Sequence, residues 1–144
     1  MMENMPTPML VLTVGLPRSG KTTWARDQGC PVVNPDSIRL ALHGQRFQLE
    51  AEPMVWAIAK IMVKALFLAG HAKVIVDATN TTRERRKFWN DSSWACQCHE
   101  IDTPKDVCIQ RAVDLKDPYI IPHIERMAKQ FEPVADMEYP QGGK

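Results

Sequence analysis

Gly15 and Gly20 bracket Leu16, Pro17, Arg18 and Ser19, and Lys21, Thr22 and Thr23 follow directly. This is the G-x-x-x-x-G-K-[ST] spacing of a phosphate-binding loop. Glycines let the chain turn so that successive backbone N–H groups converge on one centre, and a helix starting at the loop's end adds its positive terminus. In such a loop the lysine reaches the outer phosphates of a nucleotide and the hydroxyl helps hold magnesium. Residues 15–23 are therefore the candidate nucleotide site, with Lys21 the candidate catalytic cation and Thr22 a candidate metal ligand.

Further charged residues stand where a parallel sheet offers its ligand-facing edge. In "NPDSIR", Pro35 suits the first turn of a helix capped by Asn34, which leaves the Asp36 carboxylate unused by the cap. Asp36 is the candidate base for an attacking hydroxyl. Arg39, about one turn on, shares its face and is placed to hold Asp36 or a substrate phosphate. "VIVDATN" ends an apolar run on Asp77, a candidate for the metal side or the acceptor side. In "TTRERRKFW", Thr81 and Glu84 fit a capping box, so the helix should begin there with Arg83, Arg85, Arg86 and Lys87 in its first turns. Cations at that end oppose the helix dipole, and an anion close by would reverse the sign. At least one of these arginines is expected to touch substrate phosphate. Arg111 and Lys116 flank the end of another helix before a proline-marked break, where a lid could bring a cation to the transferring group.

The elements needed to position these residues alternate as strand and helix. The expected strands cover 9–15, 31–34, 73–79 and 95–102, and the expected helices 21–29, 37–44, 53–69, 82–94, 104–115 and 121–131. Residues 134–144 read as a tail. The fold class is α/β, a three-layer P-loop NTPase arrangement with a parallel sheet of four to five strands flanked by helices and a C-terminal helical lid.

The 144 residues have room for one domain with one sizeable core, and 44% of them are apolar. A net charge of +1 supplies no overall field toward nucleic acid or membrane, so any such binding must come from local clusters. The start carries no basic leader and is broken by Pro6 and Pro8, and Lys60 and Lys64 interrupt the most apolar stretch, 54–70. A cytoplasmic protein without a membrane partner is the expectation. The four cysteines do not form a disulfide framework for such a chain. "CQCH" is no zinc site on a strand, because Cys96 and Cys98 point to one face and His99 to the other. The helix at 54–69 leaves core packing and a homo-oligomer interface both open.

With these residues in view, the chain resembles the P-loop kinase family that includes the kinase domain of bacteriophage polynucleotide 5′-hydroxyl kinase. "GLPRSGKTTWARD", "NPDSIR" and "VIVDATNTTRERRKFW" look like its core segments in order, and "CIQRAVDLKDPYIIPHIERM" resembles its lid and the helix after it. The resemblance implies transfer of the γ-phosphate of ATP, with Mg2+, to a hydroxyl. Asp36 would be the general base and Arg39 would stand beside the acceptor phosphate. Asp77, Thr79 and Asn80 would line the acceptor side, and Arg111 with Lys116 would meet the nucleotide phosphates from the lid. A lysine at that second lid position departs from the usual pair of arginines and lacks their two-pronged donor. The implied acceptor is a 5′-hydroxyl end of DNA or RNA, held with help from Arg39, Arg83 and Arg86. Rival readings are a kinase of a small-molecule or nucleoside hydroxyl and an NTP-hydrolysing switch. The absence of an N-K-x-D string lowers the last.

Overall fold

The computed structural model describes residues 6–44 and 47–135. Four strands, β1 (Met9–Val14), β2 (Val32–Val33), β3 (Lys73–Val76) and β4 (Ala95–Glu100), form one parallel sheet in the order β2-β3-β1-β4. The helices are α1 (Lys21–Asp27), α2 (Pro35–His43), α3 (Glu52–Leu68), α4 (Arg83–Lys87), α5 (Lys105–Asp114) and α6 (Ile121–Gln130), with short 3-10 turns before α3 and α6. The order places β1 centrally, so its loop to α1 opens at the carboxyl edge between two strands.

Strand alternation assigns the two faces of the sheet. Leu10, Leu12 and Val14 of β1 join Val33, Val74 and Val76 on one side, where Val55, Ala59 and Val63 of α3 pack at helical spacing. Each is at most about 1% exposed, and burying a side chain of the valine or leucine size contributes roughly 1.5–3 kcal/mol. Val11 and Ile75 face the other way, against Ala25 and Trp24 of α1. The same alternation divides "CQCH": Cys98 and Cys96 join the α3-side core, whereas His99 stacks on Trp24 at 3.8 Å. Burial pushes the Cys96 thiol up to about 11, an environment that keeps it protonated.

The other face of α3 leaves Met54, Ile61 and Leu68 exposed. Lys64 is exposed too, and Lys60 Nζ donates to the Phe88 carbonyl at 2.7 Å. Among the described residues no helix is long and apolar enough to cross a membrane.

Several expected boundaries move: α2 starts at Pro35 and not at 37, β3 ends at Val76 and not at 79, and the largest change is in α4. The helix expected over 82–94 ends at Lys87, because Asp91 and Trp94 close a turn and the Trp89 and Trp94 rings bury themselves in the core. Its cap is Thr82, whose hydroxyl accepts from Arg85 N at 3.3 Å, and not Thr81. Thr81 is buried, and its carbonyl accepts from Glu132 N at 2.8 Å. Of the expected tail, only Val134 and Ala135 are among the described residues; Val134 packs against the core, and its N–H donates to Glu100 Oε1 at 3.1 Å.

Candidate active site

The loop after β1 turns because two positions admit nothing larger or otherwise shaped. A Cβ on Gly15 would lie 2.8 Å from Ser19 Oγ and 3.0 Å from the Ile101 carbonyl. Gly20 has φ +102° and caps α1, a backbone that side chains rarely adopt. Gly15 N donates to the Thr79 carbonyl at 3.0 Å and the Thr103 hydroxyl to the Ser19 carbonyl at 2.7 Å, so the loop is fastened on both flanks. Lys21 is nearly buried, and its Nζ donates to the Leu16 carbonyl at 2.9 Å. Burial holds its ammonium below the ordinary lysine value, opposed by the nearby charges of Asp77 and Asp36.

A hydrogen-bonded chain runs from this loop to the end of β2. The Thr22 hydroxyl donates to Asp77 Oδ2 at 2.7 Å, and Asn34 Nδ2 donates to the same oxygen at 3.0 Å. Asn34 Oδ1 in turn accepts from the Asp36 N–H at 2.8 Å and from Ser37 N at 3.4 Å, capping α2. The Asp36 carboxylate is left to project, 70% exposed, with Arg39 Nη1 on its Oδ1 at 2.6 Å. Arg39 is itself fixed, because Nε and Nη2 form a two-pronged pair with Glu52 at 2.9 and 2.6 Å. Trp56 Nε1 donates to Glu52 as well, at 3.2 Å. Although burial alone would raise the Glu52 carboxyl, the Arg39 hydrogen bonds and charge hold it below the usual carboxylate range.

A hydroxyl and one buried carboxylate are hard oxygen donors. Magnesium prefers such donors, one or two from the protein with the rest from water and substrate phosphate. The pair Thr22 and Asp77 fits that ion, and no group of three or more acidic, cysteine or histidine ligands gathers elsewhere among the described residues.

From the opposite side α5 lays Arg111 on the loop, Nη1 donating to the Arg18 carbonyl at 3.1 Å and lying 3.8 Å from where a Gly20 Cβ would stand. Arg18 has a left-handed backbone, φ +65°, and its Nη2 pairs with Asp117 Oδ2 at 2.8 Å.

A family model described as an AAA domain matches residues 10–134. The chain belongs to this family. The fold of the AAA-domain chain is that of the P-loop kinases. A chain of a solved Pnkp1/Rnl/Hen1 complex is 26% identical over 75% of this chain and 40% of its own length, with a TM-score of 0.65. A chain of the Pnkp1/Rnl/Hen1 RNA repair complex is 18% identical over 92% and 49%, with a TM-score of 0.67. This chain therefore spans less than half the length of either. A sugar kinase from Janibacter sp. HTCC2649 is 19% identical over 93% of this chain and 83% of its own, with a TM-score of 0.68.

Within this AAA-domain fold the sequence-derived residues separate into two groups. Gly15 to Thr23, Asp36, Arg39, Asp77 and Arg111 gather along the carboxyl edge of the sheet and its covering helix. Three others do not stand as the sequence reading had them. Arg86 is fully buried, Nη1 donating to the Asn80 carbonyl at 2.8 Å and Nη2 to the Glu132 carbonyl at 2.9 Å. It binds the chain after α6 to the end of β3 instead of facing a substrate phosphate. Asn80, 2% exposed with φ +45°, directs Nδ2 to the Thr13 carbonyl at 2.9 Å and braces β1. Lys116 is exposed in a left-handed turn closing α5, and its neighbour Asp117 is the lid residue that contacts the loop. Arg83 is exposed on α4, and Thr79 is half-buried beside the loop. Sequence reasoning missed Glu52 and Asp117; neither belongs to a spacing motif, and each acts through a partner far along the chain.

Proposed function

We propose that the chain is an ATP-dependent kinase that phosphorylates a 5′-hydroxyl end of a polynucleotide, with Asp36 as general base. The observation that carries this is the bonded chain Thr22–Asp77–Asn34–Asp36, which couples the phosphate loop to an exposed carboxylate that Arg39 holds at 2.6 Å. Phosphoryl transfer depends mainly on positioning and charge stabilisation, so one well-aimed carboxylate serves the acceptor.

In this reading the acceptor oxygen bonds to the γ-phosphorus while the bond from phosphorus to the β,γ-bridging oxygen breaks. ADP leaves, and the hydroxyl proton passes to an Asp36 oxygen. Backbone N–H groups at the α1 end of the loop, those of Gly20 and Lys21, and the Lys21 ammonium hold the β- and γ-phosphates, and Arg111 covers them. Thr22 and Asp77 would hold magnesium, which supplies charge neutralisation on the phosphate oxygens. Arg39 orients Asp36, since two of its three nitrogens are engaged by Glu52. The polynucleotide acceptor rests on the 26% identity to a chain of the Pnkp1/Rnl/Hen1 complex and on the exposed Arg85, which lies over the same Trp56 ring as Arg39.

A small hydroxylated acceptor is the second reading. It is favoured by the sugar kinase match, which extends over 83% of that protein, and by the inward placement of Arg86 and Asn80.

The test is transfer of terminal label from ATP, with magnesium, to a short 5′-hydroxyl oligonucleotide and, in parallel, to a panel of sugars and nucleosides. Label in the oligonucleotide, reduced by about two orders of magnitude or more in Asp36→Ala, is the expected result. Transfer to a sugar alone would replace the acceptor, and undiminished transfer in Asp36→Ala would remove the base.

A further inference from the structure

Cationic side chains continue away from Asp36 along one route. Arg39, bonded to Asp36, lies over the Trp56 ring at 5.7 Å, and Arg85 of α4 lies over the same ring at 4.9 Å. Arg85 then lines a crevice of about 570 Å3 between α4 and α6, together with Thr79, Thr82 and Arg126. Thr79 is the residue whose carbonyl fastens Gly15, so this crevice begins at the phosphate loop. Arg126 also lines a second crevice, of about 550 Å3, with Lys105 of α5 and Lys129 of α6. The two crevices therefore meet over α6.

The walls are held in place from beneath. Arg86 of α4 donates to the Glu132 carbonyl just past α6, and Glu132 N donates to Thr81. Three acids lie along the route: Glu84 and Glu132 in the first crevice, the latter accepting from Arg83 N at 3.2 Å, and Glu125 beside three cations in the second. Arg126 and Lys129 are one turn apart on α6 and so share a face. The positive excess lies in the second crevice, where Lys105, Arg126 and Lys129 outnumber Glu125, while the first sets Arg85 and Arg126 beside Glu84 and Glu132.

We propose that these two joined crevices are a track for the single strand that carries the reacting 5′-hydroxyl, with Arg85, Arg126, Lys129 and Lys105 meeting successive backbone phosphates. The proposal rests on the polynucleotide reading above and extends it: the acceptor is a strand several nucleotides long, gripped by its backbone. Contacts of this kind fix register without reading sequence, and each contributes to salt dependence.

The experiment compares a nucleoside 3′-monophosphate with a 5′-hydroxyl decamer as acceptors for the wild-type chain, Arg126→Ala and Lys129→Ala. Binding of the labelled decamer is followed separately by fluorescence anisotropy across a salt series. The wild type should show a KM for the decamer about tenfold or more below that for the monophosphate. Each variant should raise the decamer's KM and Kd and lower the slope of log Kd against log salt by about 0.7–1 per lost contact. Turnover of the monophosphate should be unchanged, which shows that the variants are folded. Equal KM values for both acceptors, or a salt slope unmoved in both variants, would overturn the track while leaving the kinase reading intact. Phosphorylation of neither acceptor would overturn the polynucleotide reading and the track together.

Discussion

Replacing Arg86 separates the two roles that an arginine at this position can have. The side chain is fully buried and donates to the carbonyls of Asn80 at 2.8 Å and Glu132 at 2.9 Å, with a weaker approach to Pro133 at 3.5 Å. Arg86→Met keeps much of the volume and removes the donors, which leaves at least two carbonyl oxygens without their partner. Each orphaned group costs about 1–3 kcal/mol. Relief from burying a guanidinium offsets part of this, so the net loss should be about 2–4 kcal/mol. Native stability is typically about 5–15 kcal/mol, so most molecules remain folded. The melting temperature should fall by roughly 6–16 °C, at about 3–4 °C per kcal/mol for a chain of this length. Urea denaturation gives the loss directly, and acceptor KM is measured at a temperature where the variant is folded. A midpoint close to that of the wild type, with a large increase in acceptor KM, would refute the reasoning and return Arg86 to the substrate.

Three further outcomes follow from the same geometry. Because burial lowers the Lys21 ammonium, its charged form is disfavoured in the folded chain, and stability rises with pH between the lowered value and the free-lysine value. Nucleotide phosphates favour the charged form, so ATP affinity should fall with rising alkaline pH, and binding there should take up a proton that calorimetry in buffers of different ionisation heat detects. Glu52 has a lowered carboxyl and so contributes stability above the ordinary carboxylate range, lost as pH falls through its folded value. Glu52→Gln should therefore be about 1–3 kcal/mol less stable at neutral pH, converge with the wild type in acid, and transfer phosphate more slowly because Arg39 no longer holds Asp36 firmly. At the loop, Arg18→Ala removes the guanidinium that pairs with Asp117 at 2.8 Å, so ATP KM should rise about tenfold, equivalent to 1.4 kcal/mol, and recover in the double variant with Asp117→Asn. Failure of that recovery in steady-state kinetics would show that Asp117 does not act on the nucleotide through its charge.

Much of the site was legible because local rules determined it. Gly15, Gly20, Lys21 and Thr22 lie within a single turn, where spacing alone sets geometry. Asn34 caps α2 through its own side chain, as its position before Pro35 implies, and so leaves Asp36 outward. β1 and β3, the two inner strands, were legible for a similar reason, since burial on both faces requires apolar runs. Arg86 was misread because a run of basic residues carries no signal of which one turns inward. The choice depends on the carbonyls of Asn80, Glu132 and Pro133, and the last two come from a segment that returns after α6. Glu52 was missed because it stands 13 residues from Arg39, beyond any helical periodicity.

The lid was legible as an element but not in its register, and the difference changes what the lid does. Asp117 N donates to the Ala112 carbonyl and Lys116 N to the Val113 carbonyl, a closure of α5 that places Lys116 at φ +56°. A left-handed residue redirects the chain by one position, which leaves Lys116 exposed and Asp117 buried against the loop. One cation, Arg111, and one carboxylate thus approach the loop where two cations were expected. A carboxylate beside nucleotide phosphates repels them unless it is neutralised, and Arg18 supplies a cation to it at 2.8 Å. The loop's one cation before the lysine accordingly stands at a left-handed position where glycine would be easier, because its side chain completes the lid.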